Sequence, residues 1–232
     1  MNETIHKRKS IRKYDMTELD AAALEKVREN ISDVIPLYTD IQYSIEIVSK
    51  TKGIFGIKAP HYLIFCSEER YGAYENIGFV GQQLNLFFAE SGLGACWLGM
   101  AKPEEQAAGA LPFVISMAFG KPDEPLYRDL ADFKRRPLSE ISEGADERLE
   151  AARLSPSGMN TQGWYFVADS GKIHCYCKKP GALLGFMAGK LGCIDMGIAL
   201  CHIAVESDEF RFIKEPDAPV RKGYIYMGAV IK

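Results

Sequence analysis

A loop at residues 155–162 carries short polar side chains around a proline, and its residue types suggest ligand binding more strongly than any other segment. In order, it contains Ser155, Pro156, Ser157, Asn160 and Gln162. These residues offer hydrogen-bond donors and acceptors around a turn whose backbone the proline fixes. Trp164, just after the loop, is expected to anchor it to the core. We therefore predict a site for a flat ligand that has many nitrogen and oxygen atoms.

A basic run near the amino terminus could hold the charged end of such a ligand. It contains Arg8, Lys9, Ser10 and Arg12. Arginine binds phosphate through two parallel N–H groups, and a serine hydroxyl can add another contact. The two arginines would lie on one side of the run if it were helical. Composition alone, however, favours a solvated basic terminus.

A glycine-containing segment after a predicted buried helix could lie beneath the flat part of the ligand. Gly92 and Gly94 end that helix and lead into Trp97, Leu98 and Gly99. Because they lack side chains, the glycines would let a flat molecule approach the backbone. A helix C-cap is the simpler explanation of the two glycines.

A second basic run lies in the middle of the chain. Lys134 and Arg135 belong to residues 134–138 and could add contacts to a phosphate. Arg128 is a further candidate, although a surface charge is the simpler interpretation of that residue.

In combination, these motifs resemble those of FMN-dependent nitroreductases. The polar loop is similar to the family's Pro-Ser-x-x-Asn-x-Gln-Pro-Trp sequence, except that Gly163 replaces the second proline and should loosen the loop. The run at 8–12, followed by Tyr14, is similar to the family's amino-terminal FMN motif. The resemblance implies cofactor contacts from Arg8, Lys9, Ser10, Arg12, Trp97, Leu98, Gly99, Lys134, Arg135, Pro156, Ser157, Asn160 and Gln162.

The resemblance also implies separate roles for these residues. Arg8 and Ser10 would bind the phosphate and the ribityl chain, and the Gly99 N–H would contact flavin N5. Arg12 would face the pyrimidine edge and stabilise the negative charge that reduction places on the ring. No catalytic side chain and no metal are implied, because the chemistry takes place on the cofactor.

The activity implied by the resemblance is that of an FMN-dependent oxidoreductase. A hydride would pass from the co-substrate NAD(P)H through flavin N5 to a small acceptor such as a nitroaromatic or a quinone. The alternative is a flavin-binding or sensing protein without productive turnover. In that case residues 33–56, which include Tyr38, Ile54 and Phe55, could cover the flavin face.

The chain also repeats itself. Residues 79–91 match residues 195–207 without a gap, and both segments are apolar on nearly every side. We interpret residues 1–133 and 134–232 as two unequal copies around one core, although their identity is low enough for coincidence. Nitroreductases bind FMN between two subunits, so this interpretation makes the chain a dimer fused into one polypeptide.

The two copies differ in the residues that would bind FMN. Residues 208–210 are Asp-Glu-Phe where the first copy has Gly92 and Gly94, and two acids and a phenyl ring would obstruct a flavin. The first-copy counterpart of the polar loop, near residues 33–39, lacks the Asn and the Gln. We therefore predict one FMN per chain, and a monomer would suffice to bind it.

Periodicity predicts an α+β, nitroreductase-like fold, with a mixed sheet and buried central helices. Helices are predicted at residues 17–31, 71–91, 145–154 and 195–207. Strands are predicted at residues 42–48, 61–66, 94–98, 113–119, 164–168, 172–178, 210–214 and 223–231. Thr17 and Asp20 offer capping groups for the first helix, Gly92 should end the second, and residues 169–171 should form a hairpin turn.

Composition limits the function classes. The 232 residues carry a net charge of −3, which argues against nucleic-acid binding. Glu90 interrupts the apolar stretch at 84–100, and the first residues contain no apolar run, so neither a membrane span nor a secretory signal is expected. The six cysteines lack zinc-site spacing, and the four histidines, including His202 on a buried helix, are expected to bind no metal. We expect a cytoplasmic protein that acts on a small molecule.

Overall fold

The computed structural model describes residues 2–53, 57–105, 111–181, 185–216 and 218–231, with the backbone alone at 186–188. The first half contains the helices α1 (Asn2–Ile5), α2 (Ala21–Asp33) and α3 (Ala73–Glu90). Its strands are β1 (Tyr43–Val48), β2 (Thr51–Lys52), β3 (His61–Ser67), β4 (Gly94–Leu98), β5 (Lys102–Pro103) and β6 (Phe113–Gly120).

The second half has the same kinds of elements. Its helices are α4 (Leu138–Ile141), α5 (Leu149–Leu154) and α6 (Gly185–Val205). Its strands are β7 (Ser142–Glu143), β8 (Trp164–Asp169), β9 (Lys172–Lys178), β10 (Arg211–Ile213) and β11 (Tyr224–Ile231). Within the ranges that the structure describes, no helix is long and apolar enough to cross a membrane.

The two halves form separate sheets that share one strand order. The first sheet runs β1-β3-β6-β4, and the second runs β10-β11-β9-β8-β7. Read from the other edge, the second sheet places β8, β9, β11 and β10 where the first has β1, β3, β6 and β4. Neighbours within these sets pair antiparallel, whereas β7 adds a parallel edge to β8. The predicted α+β fold with buried central helices is confirmed, and its strands form two main sheets, one in each half.

Two long helices, α3 and α6, cross at the centre of the molecule. A Cβ added to Gly78 would lie 2.1 Å from the carbonyl oxygen of Ile194, and one added to Gly197 would lie 2.0 Å from that of Glu75. The two backbones can approach this closely only because glycine has no side chain.

The same helices join the cores of the two halves. Phe79 and Leu86 of α3 pack in the core cluster of the second half, whereas Ile194 and Ile198 of α6 pack in that of the first. Residues of both halves therefore cover each helix, which explains why both helices are apolar on nearly every side.

The helix predicted at residues 17–31 begins later, at Ala21. Asp20 is the N-cap, and its carboxylate accepts a hydrogen bond from the Ala23 N–H at 2.8 Å. Thr17 is not a capping residue, because its hydroxyl donates to Asp15 instead. The two candidate capping residues therefore indicated the region where the helix begins, but not which of them caps it.

Two boundaries in the second half also need correction. The helix predicted at 145–154 begins only at Leu149, because the Asp146 carboxylate accepts the Arg148 N–H and holds a turn there. Helix α6 begins at Gly185, well before residue 195. The glycines of its first turns lower the helix propensity, and tertiary packing overrides that preference.

Two turn predictions are confirmed. Gly92 has a φ of 77° and follows α3, while the Leu93 N–H donates to the Phe88 carbonyl at 2.8 Å, as expected of a glycine-terminated helix. Ser170 and Gly171, both at positive φ, form the two-residue turn between β8 and β9.

The basic run at residues 8–12 is extended rather than helical. Arg8 forms an antiparallel bridge with Tyr127, and the Ile11 N–H donates to the Ala95 carbonyl at the outer edge of β4. Alternate residues of an extended segment point the same way. The two arginines and the serine between them therefore still share one side, for a reason other than the helical period.

Candidate functional site

Two adjoining cavities lie where the amino-terminal run meets the loop at 155–162. One is polar, with a volume of about 520 Å³, and the other is mostly apolar, with a volume of about 330 Å³. Both are lined by Ser10, Arg12, Pro156, Ser157 and Met159. The polar cavity also contacts Arg8, Lys9, Glu124, Arg128, Asp132, Lys134, Arg135 and Asn160. The apolar cavity also contacts Cys96, Trp97, Gly99, Met100, Ile115, Gly158, Leu191, Ile194, Asp195 and Ile198.

The structure brings together most of the residues predicted to form a site. Those at the cavities are Arg8, Lys9, Ser10, Arg12, Trp97, Gly99, Lys134, Arg135, Pro156, Ser157 and Asn160. Leu98 and Gln162 do not line either cavity. The Leu98 side chain packs in a small apolar cluster with Tyr14, and Gln162 accepts the Arg136 N–H at 2.8 Å. Gln162 therefore supports the loop from behind.

Arg8 is a buried cation with few protein partners. It is 1% exposed, and its Nη2 donates to the Ser10 hydroxyl at 3.3 Å. Its Nε and Nη1 have no hydrogen-bond partner among the described residues. Burial, together with the charges of Arg128 and Arg135, lowers the pKa of Arg8 to about 9. Because a buried guanidinium with unpaired N–H groups is unfavourable, this donor set fits an anion such as phosphate.

Two further arginines concentrate positive charge at the polar cavity. The Arg128 guanidinium lies 3.6 Å from the centre of the Phe133 ring, and its Nε also lacks a partner among the described residues. Burial lowers the pKa of Arg128, and burial together with Arg128 lowers the pKa of Arg135 to about 10. Arg128 thus raises the free energy of the charged form of Arg135, and a bound anion would relieve this repulsion.

Glu124 fixes the position of the amino-terminal run. Its carboxylate accepts hydrogen bonds from the Arg12 N–H at 2.6 Å, the Lys13 N–H at 3.1 Å and the Lys9 Nζ at 3.1 Å. Burial raises the pKa of Glu124, but the hydrogen bonds from Arg12, Lys9 and Lys13 outweigh it and lower the pKa overall. Lys9 is therefore engaged by Glu124, at the rim of the cavity.

The loop at 155–162 has an unusual backbone conformation. Positive φ angles occur at Met159 (51°), Asn160 (57°) and Gln162 (48°). Residues with side chains rarely adopt this left-handed region, and such strain persists only where surrounding contacts enforce it. Here the Ser157 hydroxyl accepts the Gln162 N–H at 2.9 Å and closes the loop.

The Asn160 side chain connects the loop to the second basic run. Its Oδ1 accepts a hydrogen bond from Arg135 Nη1 at 2.6 Å, and its Nδ2 donates to the Lys134 carbonyl at 2.9 Å. Arg135 Nε also donates to the Ser155 carbonyl at 3.0 Å. Asn160 therefore positions Arg135 at the polar cavity, and its own polar atoms are already paired.

A chain of buried hydrogen bonds fixes Trp97 at the wall of the apolar cavity. Trp97 Nε1 donates to Gln82 Oε1 at 3.2 Å, and Gln82 Nε2 lies 2.9 Å from His202 Nε2. His202 Nδ1 lies 2.9 Å from the Ala151 carbonyl, which assigns the ring proton to Nδ1. Burial lowers the pKa of His202 to about 3, so the ring is neutral. His202 is thus a satisfied core residue, as its buried helix predicts.

The open edge of β4 borders the apolar cavity. Ala95 directs its carbonyl off this edge to Ile11, and backbone directions alternate along a strand. Trp97, and Gly99 just beyond the strand, therefore direct backbone polar groups off the same edge. Leu191 of α6 faces Gly99, since a Cβ added to the glycine would lie 3.7 Å from its Cδ2. The cavity is a slot between a strand of one half and a helix of the other.

In the second half, aromatic rings pack at the place that the predicted repeat would make equivalent to the slot. Phe210, which stands where the first half has Gly94, stacks on Phe79 of α3 with ring centroids 5.5 Å apart. The Tyr38 ring lies 6.4 Å from the Phe212 ring on β10. Tyr38 therefore packs towards the second sheet and does not line the slot beside β4. Ile54 and Phe55, which were expected to cover a flavin with it, lie outside the described residues.

Several residues at the cavities carried no motif in the sequence. Glu124, Asp132 and Met159 have no spacing that distinguishes them from surface residues, because remote parts of the chain bring them to the site. Arg128, for which a surface charge was the simpler interpretation, is half-buried and lines the polar cavity. Asp195 did give a signal, since it is the one acidic residue of the largely apolar helix α6.

Comparisons with known proteins find similarity to nitroreductases. A family model described as "Putative TM nitroreductase" matches residues 1–207. A solved structure described as a putative nitroreductase from Thermotoga maritima aligns with 99% of this chain and 92% of its own, at 21% identity and a TM-score of 0.67. A nitroreductase family protein from Clostridium difficile 630 aligns with 60% of this chain and 95% of its own, at 17% identity and a TM-score of 0.50. No curated protein matches the chain significantly.

Proposed function

Because this chain belongs to the nitroreductase family, whose members are oxidoreductases, we propose that it is an FMN-dependent enzyme that uses NADH or NADPH to reduce a small acceptor. A nitroaromatic or a quinone is the expected acceptor. The observation that carries the proposal is the meeting of the amino-terminal arginines with the polar loop at two adjoining cavities. A basic cavity beside an apolar slot matches a ligand with a phosphate at one end and a flat ring at the other.

The polar cavity would hold the phosphate. Arg8 contributes the strongest fit, because its Nε and Nη1 are buried and have no partner among the residues described. Ser10 and Arg128 would complete the anion site, and Asn160 would hold Arg135 in place. Arg12 lines both cavities, so its charge would face the ring end of the ligand.

The apolar slot would hold the flat ring. Trp97 and Gly99 supply one wall, and Leu191 and Ile198 of α6 supply the other. The two walls would exclude water from the ring and fix its orientation. When bound, FMN would supply the hydride chemistry at N5, and the protein would contribute binding, orientation and charge.

We further propose that residues 1–133 and 134–232 are two copies of one ancestral subunit. The shared strand order supports this proposal, as does the smaller Clostridium difficile protein, nearly all of which aligns with only 60% of this chain. The stack of Phe79 on Phe210 supports one FMN per chain, because rings occupy the second place. Both walls of the slot belong to one chain, so a monomer can form the site. A cytoplasmic location stays a prediction.

A spectrum and an activity assay test the proposal together. FMN released from the purified chain should amount to one equivalent, and oxidation of NADH or NADPH should accelerate when menadione or a nitroarene is added. A colourless chain that takes up no added FMN would refute the proposal. Two equivalents would refute the argument for a filled second place.

The same assay separates the enzyme from its alternative. A flavin-binding or sensing protein would retain FMN yet give no oxidation of either nucleotide with any acceptor. The width of the slot matters here, because a nicotinamide must reach the exposed ring face. Reduction of the bound flavin by dithionite but not by NADH or NADPH would therefore favour the sensing protein.

A further inference from the structure

Asp195 places a carboxyl group inside the apolar cavity. It belongs to α6, is 5% exposed and lies between Ile194 and Ile198 in the sequence, both of which line the same cavity. An acidic side chain at such a position is unusual, because burial without a partner disfavours its charged form. Its counterpart in the repeat is Phe79, so the acid distinguishes the open slot from the filled one.

The hydrogen-bond partners of Asp195 are neutral groups of the polar loop. Its Oδ1 accepts the Gly158 N–H at 2.9 Å, and the Thr161 hydroxyl also hydrogen-bonds to the carboxyl. Among the residues described, no lysine or arginine contributes a charge that lowers its pKa. These two hydrogen bonds favour the ionised carboxylate, but burial disfavours its charge more strongly, and no basic side chain compensates that charge.

The other titratable groups that face Asp195 do not compensate its charge. Burial raises the pKa of Cys177 on β9 to about 12 and also raises the pKa of Cys193 on α6, so both thiols stay neutral. Glu75 of α3 lies beyond Cys193, and burial raises its pKa too. Arg12 lines the same cavity but is not an ion-pair partner of Asp195.

We propose that Asp195, as a neutral carboxylic acid, donates a hydrogen bond to the edge of the flat ring in the apolar cavity and weakens ring binding when it ionises. The inference rests on the proposed function, because the ring is that of FMN. Apart from one N–H group, at N3, the polar ring edge of oxidised flavin carries carbonyl oxygens and unprotonated nitrogens, which accept hydrogen bonds. An ionised carboxylate would instead place a negative charge against these acceptors in an apolar space, where charges interact strongly.

The pH range of the effect follows from the burial of the carboxyl. Burial raises the pKa of Asp195 from its ordinary 3.8 to about 7. The folded chain therefore holds this proton more tightly than the unfolded chain does. The stability that the proton contributes is full below the ordinary pKa and is lost as the pH rises towards 7. FMN affinity should be full below about pH 7 and should fall above it.

The test is the dissociation constant of FMN as a function of pH for three chains. In the wild type, the constant should rise roughly tenfold between about pH 6 and pH 9, which corresponds to about one pKa unit between free and bound protein. Asp195→Asn keeps a donor and cannot ionise, so its profile should stay flat over the same range. Glu75→Gln, which alters another buried acid away from the cavities, should behave like the wild type. Ionisation of the FMN phosphate near pH 6 affects all three chains equally and cancels in the comparison.

A second measurement does not depend on FMN. The melting temperature of the cofactor-free wild type should fall between about pH 4 and pH 7 relative to that of Asp195→Asn. Equal pH profiles of FMN affinity for the wild type and Asp195→Asn would overturn the inference, even if both chains bind FMN well. Absence of FMN binding at every pH in all three chains would instead overturn the proposed function.

Discussion

Replacing Arg8 with methionine should change the stability of the chain in opposite directions without and with FMN. Methionine fills a similar volume and leaves no N–H group unpaired. Each buried, unpaired polar group costs about 1–3 kcal/mol, and Arg8 has two such atoms, Nε and Nη1. After allowance for imperfect repacking, the cofactor-free variant should gain roughly 1–2 kcal/mol. For a chain of this length, that gain corresponds to a melting temperature about 3–6 °C higher.

With FMN bound, the wild type should be more stable than Arg8→Met. A hydrogen bond to a charged group contributes about 1.5–3 kcal/mol, so losing two of them at the phosphate should raise the dissociation constant by roughly a hundredfold or more. A ligand present at about a hundred times its dissociation constant stabilises a protein by about 2.7 kcal/mol. The wild type should gain that amount at an FMN concentration where the variant gains almost nothing.

Thermal melts of both chains, with and without FMN, together with a flavin fluorescence titration, measure these effects. The matched control is Arg28→Met, because Arg28 is an exposed arginine of α2 that pairs with Glu25. The control should leave both the melting temperature and FMN affinity nearly unchanged. If Arg8→Met melts below the wild type by the same amount in both conditions, Arg8 stabilises the fold and the anion argument is wrong.

Three other substitutions test separate parts of the structure. Asn160→Gly keeps the positive φ but removes the hydrogen bonds to the second basic run, so FMN affinity should fall about tenfold; an unchanged affinity in the titration would contradict this role. Phe79→Ala should lower the free energy of unfolding by roughly 3–5 kcal/mol, the usual cost of truncating a buried phenylalanine, while FMN per folded chain stays at one because Phe210 remains and the first half lacks the Asn and the Gln of the polar loop; a second equivalent would contradict the argument that the second place has lost its binding groups. Gly197→Ala would put a Cβ 2.0 Å from a facing carbonyl oxygen, and denaturant unfolding should show a loss of roughly 3 kcal/mol or more, whereas Gly163→Ala, with nothing within 4 Å, should change little.

Sequence patterns predicted those helices and strands whose boundary residues favour the same structure that tertiary packing enforces. The β4 strand and the β8–β9 hairpin were predicted because glycines mark their ends, and turn chemistry is local. Helix α3 was predicted almost to its boundaries for the same reason, with Gly92 at its end. Helix α6 was predicted only in part, because the glycines in its first turns favour a loop until the rest of the fold packs against them.

Tertiary pairing explains what the sequence could not predict. The basic run at residues 8–12 is extended because residues 95 and 127 hydrogen-bond to it, and no local pattern indicates such remote partners. The polar cavity needs Glu124 to hold this run, yet nothing near Glu124 in sequence suggests the contact. Whether one sheet or two would form also depends on strand pairing across the chain. Residue types thus indicated which groups could bind a ligand, whereas the fold determined where they meet.

The position of the slot between β4 and α6 has a consequence for behaviour at low concentration. When a ligand lies between two separate subunits, dilution separates them and the ligand escapes. Here a continuous backbone joins the two walls, so their association is intramolecular and does not depend on protein concentration. Retention at nanomolar protein should therefore equal retention at micromolar protein, apart from the ligand's own mass action.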